Sequence, residues 1–154
     1  MAKDLINVFV SHYHNDEESI GKMKELLGDK YSIRNYSVTS DKYNDATSED
    51  YIKSILRPLI NQASIFICLI GPNTHDSKWV NWEIEQAVKQ GKRVIGVYLW
   101  GAKNSDIPPA LEDGADAMVG WNHDSIINAI NGNNIFTNAD GSIRPEIDAP
   151  RVTC

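Results

Sequence analysis

Short apolar runs alternate along the chain with stretches in which apolar residues recur at helical spacing. The apolar runs predict five strands, at residues 6–11, 31–38, 64–71, 92–100 and 116–121. The third run, SIFICLIG, is continuously apolar, which is typical of a central parallel strand covered on both faces. Helices are predicted at residues 15–28, 48–63, 77–91 and 123–131, with one helical turn after Pro109. This alternation predicts an α/β domain with a five-stranded, mostly parallel sheet and helices on both faces.

Helix-breaking and capping residues mark the ends of these elements. Gly28 and Gly91 are expected to end the first and third helices, and Pro58 to kink the second helix or end it early. Asp124 or Ser125 is expected to cap the last helix. Residues 1–131 therefore predict one domain. Residues 132–154 are rich in Asn, Gly, Asp and Pro and predict an irregular extension, with at most one short strand at residues 134–137.

The composition is that of an ordinary globular domain, with 154 residues, 42% of them hydrophobic and 23% charged. The net charge of −6 comes without any basic patch, which argues against a nucleic-acid partner. No apolar stretch is long enough for a membrane span or a signal peptide, so we expect a cytoplasmic protein with no membrane partner. Cys68 and Cys154 lack C-x-x-C spacing, so a free thiol in a reducing cytosol is the simplest interpretation.

Polar side chains that follow the predicted strands are the first candidates for a site, because such sheets bind ligands beyond the carboxyl ends of their strands. These candidates are Ser11, His12 and Tyr13 after the first strand, Ser37 after the second and Asn73 after the third. His12 could also be an ordinary loop histidine, and Asn73 could simply make an Asx turn. The histidines have no partners at metal-ligand spacing, so no metal site is predicted.

Two other functions of this kind of fold are excluded by the same strand ends. A phosphate-accepting receiver domain needs acidic residues after the first and third strands, where this chain has Ser-His and Gly-Pro. A flavin-binding domain needs a glycine-rich phosphate loop after the first strand, and SHYHND contains no glycine. Neither phosphoacceptor function nor flavin binding is therefore expected.

The stretch SKWVNWEIEQAVKQG, residues 77–91, places two tryptophans and a glutamate at the start of a predicted helix. At 100° per residue, Val80, Ile84, Ala87 and Val88 form the stripe that faces the sheet. Trp79 and Glu83 flank that stripe on one side, because they are four residues apart, whereas Trp82 lies nearly opposite it and Glu85 points to solvent. Glu83 could be present only because acidic residues suit a helix N-terminus. The tryptophans could equally be core or subunit contacts.

Three motifs carry a resemblance to a known family. They are NVFVSHYHND near the N-terminus, LIGPNTHDSKWVNWEIEQA after the third strand, and the W-x-x-x-E pattern from Trp79 to Glu83. With these motifs the chain resembles TIR-like domains, and especially the bacterial group that includes the signal-producing subunit of Thoeris anti-phage systems. The resemblance is best over residues 7–100. The segment SVTSDKYND lacks the proline-containing stretch usual in TIR domains, so no dimer role of receptor TIR domains is carried over.

The resemblance implies a flavodoxin-like fold and an enzyme that consumes NAD as substrate and needs no cofactor. TIR enzymes cleave the nicotinamide–ribose bond and release nicotinamide with ADP-ribose or a cyclic isomer of it, which would act on a downstream effector. The family's catalytic glutamate maps onto Glu83, and its first loop maps onto Ser11, His12 and Tyr13. An aromatic side chain such as Trp82 or Tyr13 could stack on a base. Homo-oligomerisation is left open.

The rival hypothesis is a non-catalytic TIR-like module that binds a nucleotide or a protein partner. In that case the tryptophans would form an interface. The two hypotheses differ in where Glu83 lies. A catalytic Glu83 should line a crevice with Ser11 and His12, whereas an interface residue should lie on a flat, exposed face.

Overall fold

The computed structural model describes residues 6–12, 18–28, 30–34, 49–72 and 74–143, with the side chains of Arg34, Glu49, Asp50 and Ile52 left out. The strands are β1 (Ile6–Ser11), β2 (Tyr31–Arg34), β3 (Ile65–Ile70), β4 (Arg93–Tyr98) and β5 (Ala117–Val119). The helices are α1 (Glu18–Leu27), α2 (Glu49–Gln62), α3 (Lys78–Lys89), α4 (Pro109–Gly114) and α5 (His123–Ile130). Two single 3-10 turns, Thr74–Asp76 and Asn104–Asp106, follow β3 and β4.

The five strands form one parallel sheet in the order β2-β1-β3-β4-β5. This is the flavodoxin-like order, and it confirms the predicted α/β fold. All six residues of β3 are buried, as its continuous apolar run predicted. Chain connections leave in opposite directions from β1 and β3, which makes the gap beyond their carboxyl ends the topological switch point of the sheet.

Alternate strand residues point to opposite faces of the sheet and build two hydrophobic cores. Phe9 stacks on Phe66 at 5.5 Å, on the face that α2, α3 and α4 cover. Val8 and Val10 belong to the other face, which α1 and α5 cover. Ser11 lies two residues after Phe9, so its side chain points to the same face of the sheet. Strand β1 therefore ends with a serine that faces α2 and α3.

Several element ends differ from the sequence-based expectation. Strand β2 is described only to Arg34, and the rest of the predicted run lies outside the described residues. Helix α2 continues past Pro58 to Gln62, so the proline does not end it. Asn122, rather than Asp124 or Ser125, caps α5, because its side chain accepts a hydrogen bond from the backbone N–H of Ser125.

Two glycines end their helices as predicted. Gly28 follows α1 with φ of 84°, and Gly91 follows α3 with φ of 75°. Residues with a Cβ rarely adopt this left-handed conformation, which is why glycine commonly stands just after a helix.

The segment that follows α5 is attached to the free edge of β5. The backbone N–H of Met118 donates to the carbonyl of Ile135, and the N–H of Thr137 donates back to the carbonyl of Met118, both at 2.9 Å. The Tyr98 hydroxyl donates to the carbonyl of Thr137 at 2.7 Å, and Phe136 packs against the core. As far as residue 143 this segment therefore continues the domain, through isolated bridges near the predicted short strand.

Candidate active site

A buried hydrogen bond joins the end of β1 to the middle of α3. The Ser11 hydroxyl donates to Oε1 of Glu83 at 2.6 Å, and the two residues are 1% and 4% exposed. Strand parity directs Ser11 toward α3, and the helical position of Glu83 beside the Val80–Ile84–Ala87 stripe directs its carboxyl toward β1. The pair thus lies at the switch point of the sheet, where an α/β domain of this order binds its ligands.

The environment of Glu83 changes its protonation. Burial raises the pKa of the Glu83 carboxyl from its ordinary value of 4.5 to about 8, and the hydrogen bond from Ser11, which lowers the pKa, offsets only part of this. Desolvation has this effect because a charge loses more hydration energy than a neutral acid does. A carboxyl with a pKa of about 8 is mostly protonated at neutral pH, with roughly one-tenth ionised at pH 7.

Attraction to the N-terminal end of the helix dipole does not explain why an acidic residue stands at position 83. Helix α3 begins at Lys78, so Glu83 lies in the second turn, and the first turn contains no acidic residue. A surface acid attracted by the helix N-terminus should be hydrated, whereas Glu83 is buried. Glu85, two residues further on, is exposed, as the helical geometry predicted.

The start of α3 is held in place by three polar side chains. Ser77 caps the helix, with its hydroxyl accepting from the N–H of Val80 at 3.2 Å. Thr74, which is fully buried, accepts from the N–H of Gly71 at 2.9 Å and fixes the turn after β3. The Asn81 amide donates to the carbonyls of His75 and Ser77 and accepts from the N–H of Ala110 in α4.

Thr74 and Asn81 were not among the residues singled out from the sequence. Thr74 fits the turn signal of GPNT, but Asn81 bonds to α4, an element 29 residues away. Both residues set the position of α3, and hence of Glu83, relative to the strand ends.

The two tryptophans contact each other and the basic side chains around them. Trp79 and Trp82 are both half-buried and meet edge to face, with ring centroids 5.8 Å apart. Lys53 Nζ and Arg57 Cζ, both from α2, lie 5.6 and 5.5 Å from the centroid of the Trp82 ring. Trp82 therefore packs between α2 and α3 and against the core rather than pointing away from the domain.

Of the candidates His12, Tyr13, Ser37 and Asn73, the structure describes only His12. His12 is 4% exposed and directly follows Ser11 at the end of β1. Tyr13, Ser37 and Asn73 lie outside the described residues, so their roles stay predictions. Within the described part of the chain, no group of three or more His, Cys, Asp or Glu side chains could hold a metal ion. None of the helices described there is long and apolar enough to cross a membrane.

The geometry above agrees with what comparison with known proteins finds. The family model of the Thoeris protein ThsB, TIR-like domain, matches residues 9–104, which is more than half of the chain. The chain belongs to this TIR-like family. The resemblance predicted from the sequence motifs is thereby confirmed, and the matched range contains Ser11, His12 and Glu83.

The proteins similar to this TIR-like chain include one curated relative and two solved structures. A 53-residue segment is 30% identical to the "Putative cyclic ADP-D-ribose synthase ThsB1" of Bacillus cereus (strain MSX-D12) and covers 34% of this chain and 28% of that protein. The Clostridium botulinum CMP N-glycosidase BcmB matches 81% of this chain and 98% of its own, with a TM-score of 0.50 and 18% identity. The TIR domains of the activated Roq1 resistosome match 60% of this chain and 57% of theirs, with a TM-score of 0.43 and 19% identity.

These likenesses support different conclusions. At 18% identity, BcmB shares the fold of this TIR-like chain, and the comparison carries no information about its substrate. The match to ThsB1 spans little more than a quarter of that relative's length, so the activity in its name is not transferred by the match.

Outside the switch point, the described residues of this TIR-like domain form a cavity of about 420 Å³. It lies between the loop after β4 and the segment that follows α5, and it is lined by Ala102, Lys103, Asn104, Asn138, Ala139 and Asp140. None of the residues singled out from the sequence lines it.

Proposed function

We propose that this TIR-like domain cleaves the nicotinamide–ribose bond of NAD, with Glu83 as the catalytic carboxylate. The observation that carries the proposal is the buried Ser11–Glu83 hydrogen bond at the switch point of the sheet. Family membership supports it, and so does the description of the relative as a "Putative cyclic ADP-D-ribose synthase ThsB1". A flat, exposed Glu83 would instead have favoured the non-catalytic module.

The reaction needs negative charge beside the ribose. As the glycosidic bond breaks, nicotinamide leaves as a neutral molecule and positive charge develops on the ribose, as in glycoside hydrolysis. No general acid is needed for this leaving group. A carboxylate held in a site of low polarity stabilises the developing cation more strongly than it would in water.

Ser11 prepares the carboxyl for this role. Its hydroxyl donates a hydrogen bond to Oε1 and thereby restricts the rotation of the carboxyl group. Within the described part of the chain, Oε2 has no hydrogen-bond partner, which leaves this oxygen to contact a ribose hydroxyl or the ribose cation.

Substrate binding and ionisation of Glu83 are coupled in this proposal. The nicotinamide ring of NAD is positively charged, and a nearby positive charge favours the ionised form of a carboxyl. Binding of NAD would therefore lower the raised pKa of Glu83 and release its proton to solvent. The catalytic charge would be created mainly when substrate is present.

The second product depends on what captures the ribose cation. Capture by a group within the same ligand gives a cyclic ADP-ribose isomer, and capture by water gives linear ADP-ribose. We favour the cyclic product, because the relative ThsB1 carries the description "Putative cyclic ADP-D-ribose synthase". In this scheme the product is an anti-phage signal that acts on a downstream effector.

The test is incubation of the purified protein with NAD, followed by chromatography and mass spectrometry of the products. Nicotinamide released by the wild type and not by Glu83→Gln supports the proposal, and the mass of the second product separates cyclic from linear. The assay is repeated at high protein concentration and in lysate from phage-infected cells, so that an enzyme that needs activation is also detected. No release under any of these conditions would favour the nucleotide- or protein-binding module.

A further inference from the structure

A cluster of aromatic and basic side chains lies on the surface between α2 and α3. We call it the tryptophan face, and it consists of Lys53, Arg57, Lys78, Trp79 and Trp82. Besides the two contacts of Trp82 with α2, Lys78 Nζ lies 5.9 Å from the centroid of the Trp79 ring. All three distances are within the range over which a cation is attracted to an aromatic ring.

The tryptophan face is rich in basic side chains. The chain as a whole carries −6, whereas the tryptophan face gathers three cations around two rings. Arg57 is exposed, and no carboxylate in the described part of the chain forms a salt bridge with it. Its guanidinium is therefore available to an anion from solution while the Trp82 ring holds its position.

The tryptophans of the face and the proposed catalytic Glu83 lie in the first two turns of α3. Trp82 directly precedes Glu83 in α3, and Trp79 precedes it by one helical turn, so the rings and the buried carboxyl diverge from the same stretch of helix. Lys53 and Arg57 are also one turn apart, on the neighbouring helix. A ligand whose reacting group lies at Glu83 could thus extend over the tryptophan face.

We propose that the tryptophan face is an anion subsite that binds the diphosphate of the dinucleotide substrate, an inference that rests on the function proposed above. In NAD the diphosphate is attached to the 5′ carbon of the ribose whose glycosidic bond is cleaved, so it must lie near the carboxylate without contacting it. Arg57 provides a planar fork of donors that suits phosphate oxygens. Contact with the rings orders the basic side chains in advance, which lowers the entropy cost of binding.

The test compares Arg57→Met with Lys89→Met. Both variants remove one positive charge and keep a long apolar side chain, but Lys89 is exposed in the last turn of α3 and lies outside the face. Binding of ADP-ribose and of adenosine, which has no phosphate, is measured by isothermal titration calorimetry. KM and kcat for NAD are measured alongside.

The wild type is expected to bind ADP-ribose more tightly than adenosine. Arg57→Met should weaken ADP-ribose binding and raise KM for NAD by roughly tenfold, as expected for the loss of one charge-assisted contact, with a much smaller effect on kcat. Its affinity for adenosine should change less than twofold, and Lys89→Met should match the wild type in every measurement.

The inference is overturned if the wild type does not bind ADP-ribose, or if Arg57→Met and Lys89→Met bind it equally well. It is also overturned if Arg57→Met weakens ADP-ribose and adenosine binding to the same extent, because this is what a purely structural Arg57–Trp82 contact would cause. Failure of the proposed function is a separate result. NAD would then release no nicotinamide, while the dependence of ADP-ribose binding on Arg57 could still stand.

Discussion

Ser11 and Glu83 are 72 residues apart in the sequence, yet their side chains share a buried hydrogen bond of 2.6 Å. The serine ends a central strand, and the glutamate points back toward it from the helix that follows the next strand of the sheet. This pairing gives the domain a carboxyl that is oriented and largely desolvated.

Glu83→Gln should reduce NAD cleavage by roughly a thousandfold, because an amide keeps the shape of the side chain but cannot carry the charge that stabilises the ribose cation. Nicotinamide release measured by chromatography gives the rate. Glu85→Gln is the matched control, since Glu85 is exposed on the same helix and its variant should keep near wild-type activity. Equal losses in the two variants would contradict the assignment of Glu83.

The rate should rise with pH below the pKa of Glu83. The ionised carboxylate is the active form, so kcat/KM, which reports the free enzyme, should increase about tenfold per pH unit below the pKa. The increase should level off above a pH of about 8, the pKa of Glu83. A profile of kcat/KM between pH 6 and pH 9 measures this, and a plateau that already begins below pH 6 would show that the carboxyl is not desolvated as described.

Stability should fall as pH rises between about 4.5 and about 8. In this window the unfolded chain has released the Glu83 proton while the folded protein still holds it, so the folded state binds more protons. The free energy of unfolding should therefore decrease by about 1.4 kcal/mol per pH unit from this group. The free energy of unfolding is measured by urea denaturation at several pH values. Because a glutamine side chain cannot titrate, the unfolding free energy of Glu83→Gln should fall with pH less steeply than that of the wild type, by about 1.4 kcal/mol per pH unit. Glu85→Gln should follow the wild type. Parallel slopes for Glu83→Gln and the wild type would refute the linkage.

Ser11→Ala should make the carboxyl harder to ionise. The Ser11 hydrogen bond lowers the pKa of Glu83, so its removal should raise that pKa further and shift the rise of kcat/KM to higher pH. Activity at pH 7 should fall up to about tenfold, with partial recovery at pH 9. Ser54→Ala on α2, whose hydroxyl donates to the carbonyl of Tyr51, is the control and should keep the wild-type profile. A loss for Ser11→Ala that is the same at every pH would mean that the hydroxyl does not act through ionisation.

Gly96→Ala should destabilise the fold without touching the site. A Cβ at this position of β4 would lie 2.8 Å from Leu111 Cδ2, 3.0 Å from Met118 Cγ and 3.1 Å from Ile70 Cδ1, all in the buried core. Overpacking of this kind costs about 1–3 kcal/mol, measurable by thermal or urea denaturation. Gly21→Ala is the control, because Gly21 lies in α1 with nothing within 4 Å of an added Cβ and should gain up to about 1 kcal/mol. Equal stability of the two variants would show that the core around Gly96 can yield.

The sequence was informative wherever a single element decides the outcome. Strand and helix periods gave the five strands and the alternating helices, and the helical positions of Glu83 and Glu85 separated a buried carboxyl from an exposed one. Helix ends were less predictable. Asn122 caps α5 in competition with two neighbours of similar capping strength, and Pro58 is accommodated within α2.

Relationships between elements required the tertiary structure. Nothing in the local sequence indicates that Trp82 meets Lys53 and Arg57, since these contacts depend on how α2 and α3 pack together. The segment after α5 has a loop-like composition, but its backbone pairs with the open edge of β5. The amino-acid composition of a segment does not indicate whether a sheet edge is open beside it.

The α/β architecture, the TIR-like family and the position of Glu83 beside the sheet-facing stripe of its helix could be predicted from the sequence, because these depend on periodicity and on motifs of contiguous residues. The Ser11–Glu83 bond, the burial that raises the pKa of Glu83 and the cations around Trp82 could be seen only in the folded protein. Hydration and close contact depend on the distances between elements. Those distances are set by strand order and helix packing, which bring together residues far apart in the chain.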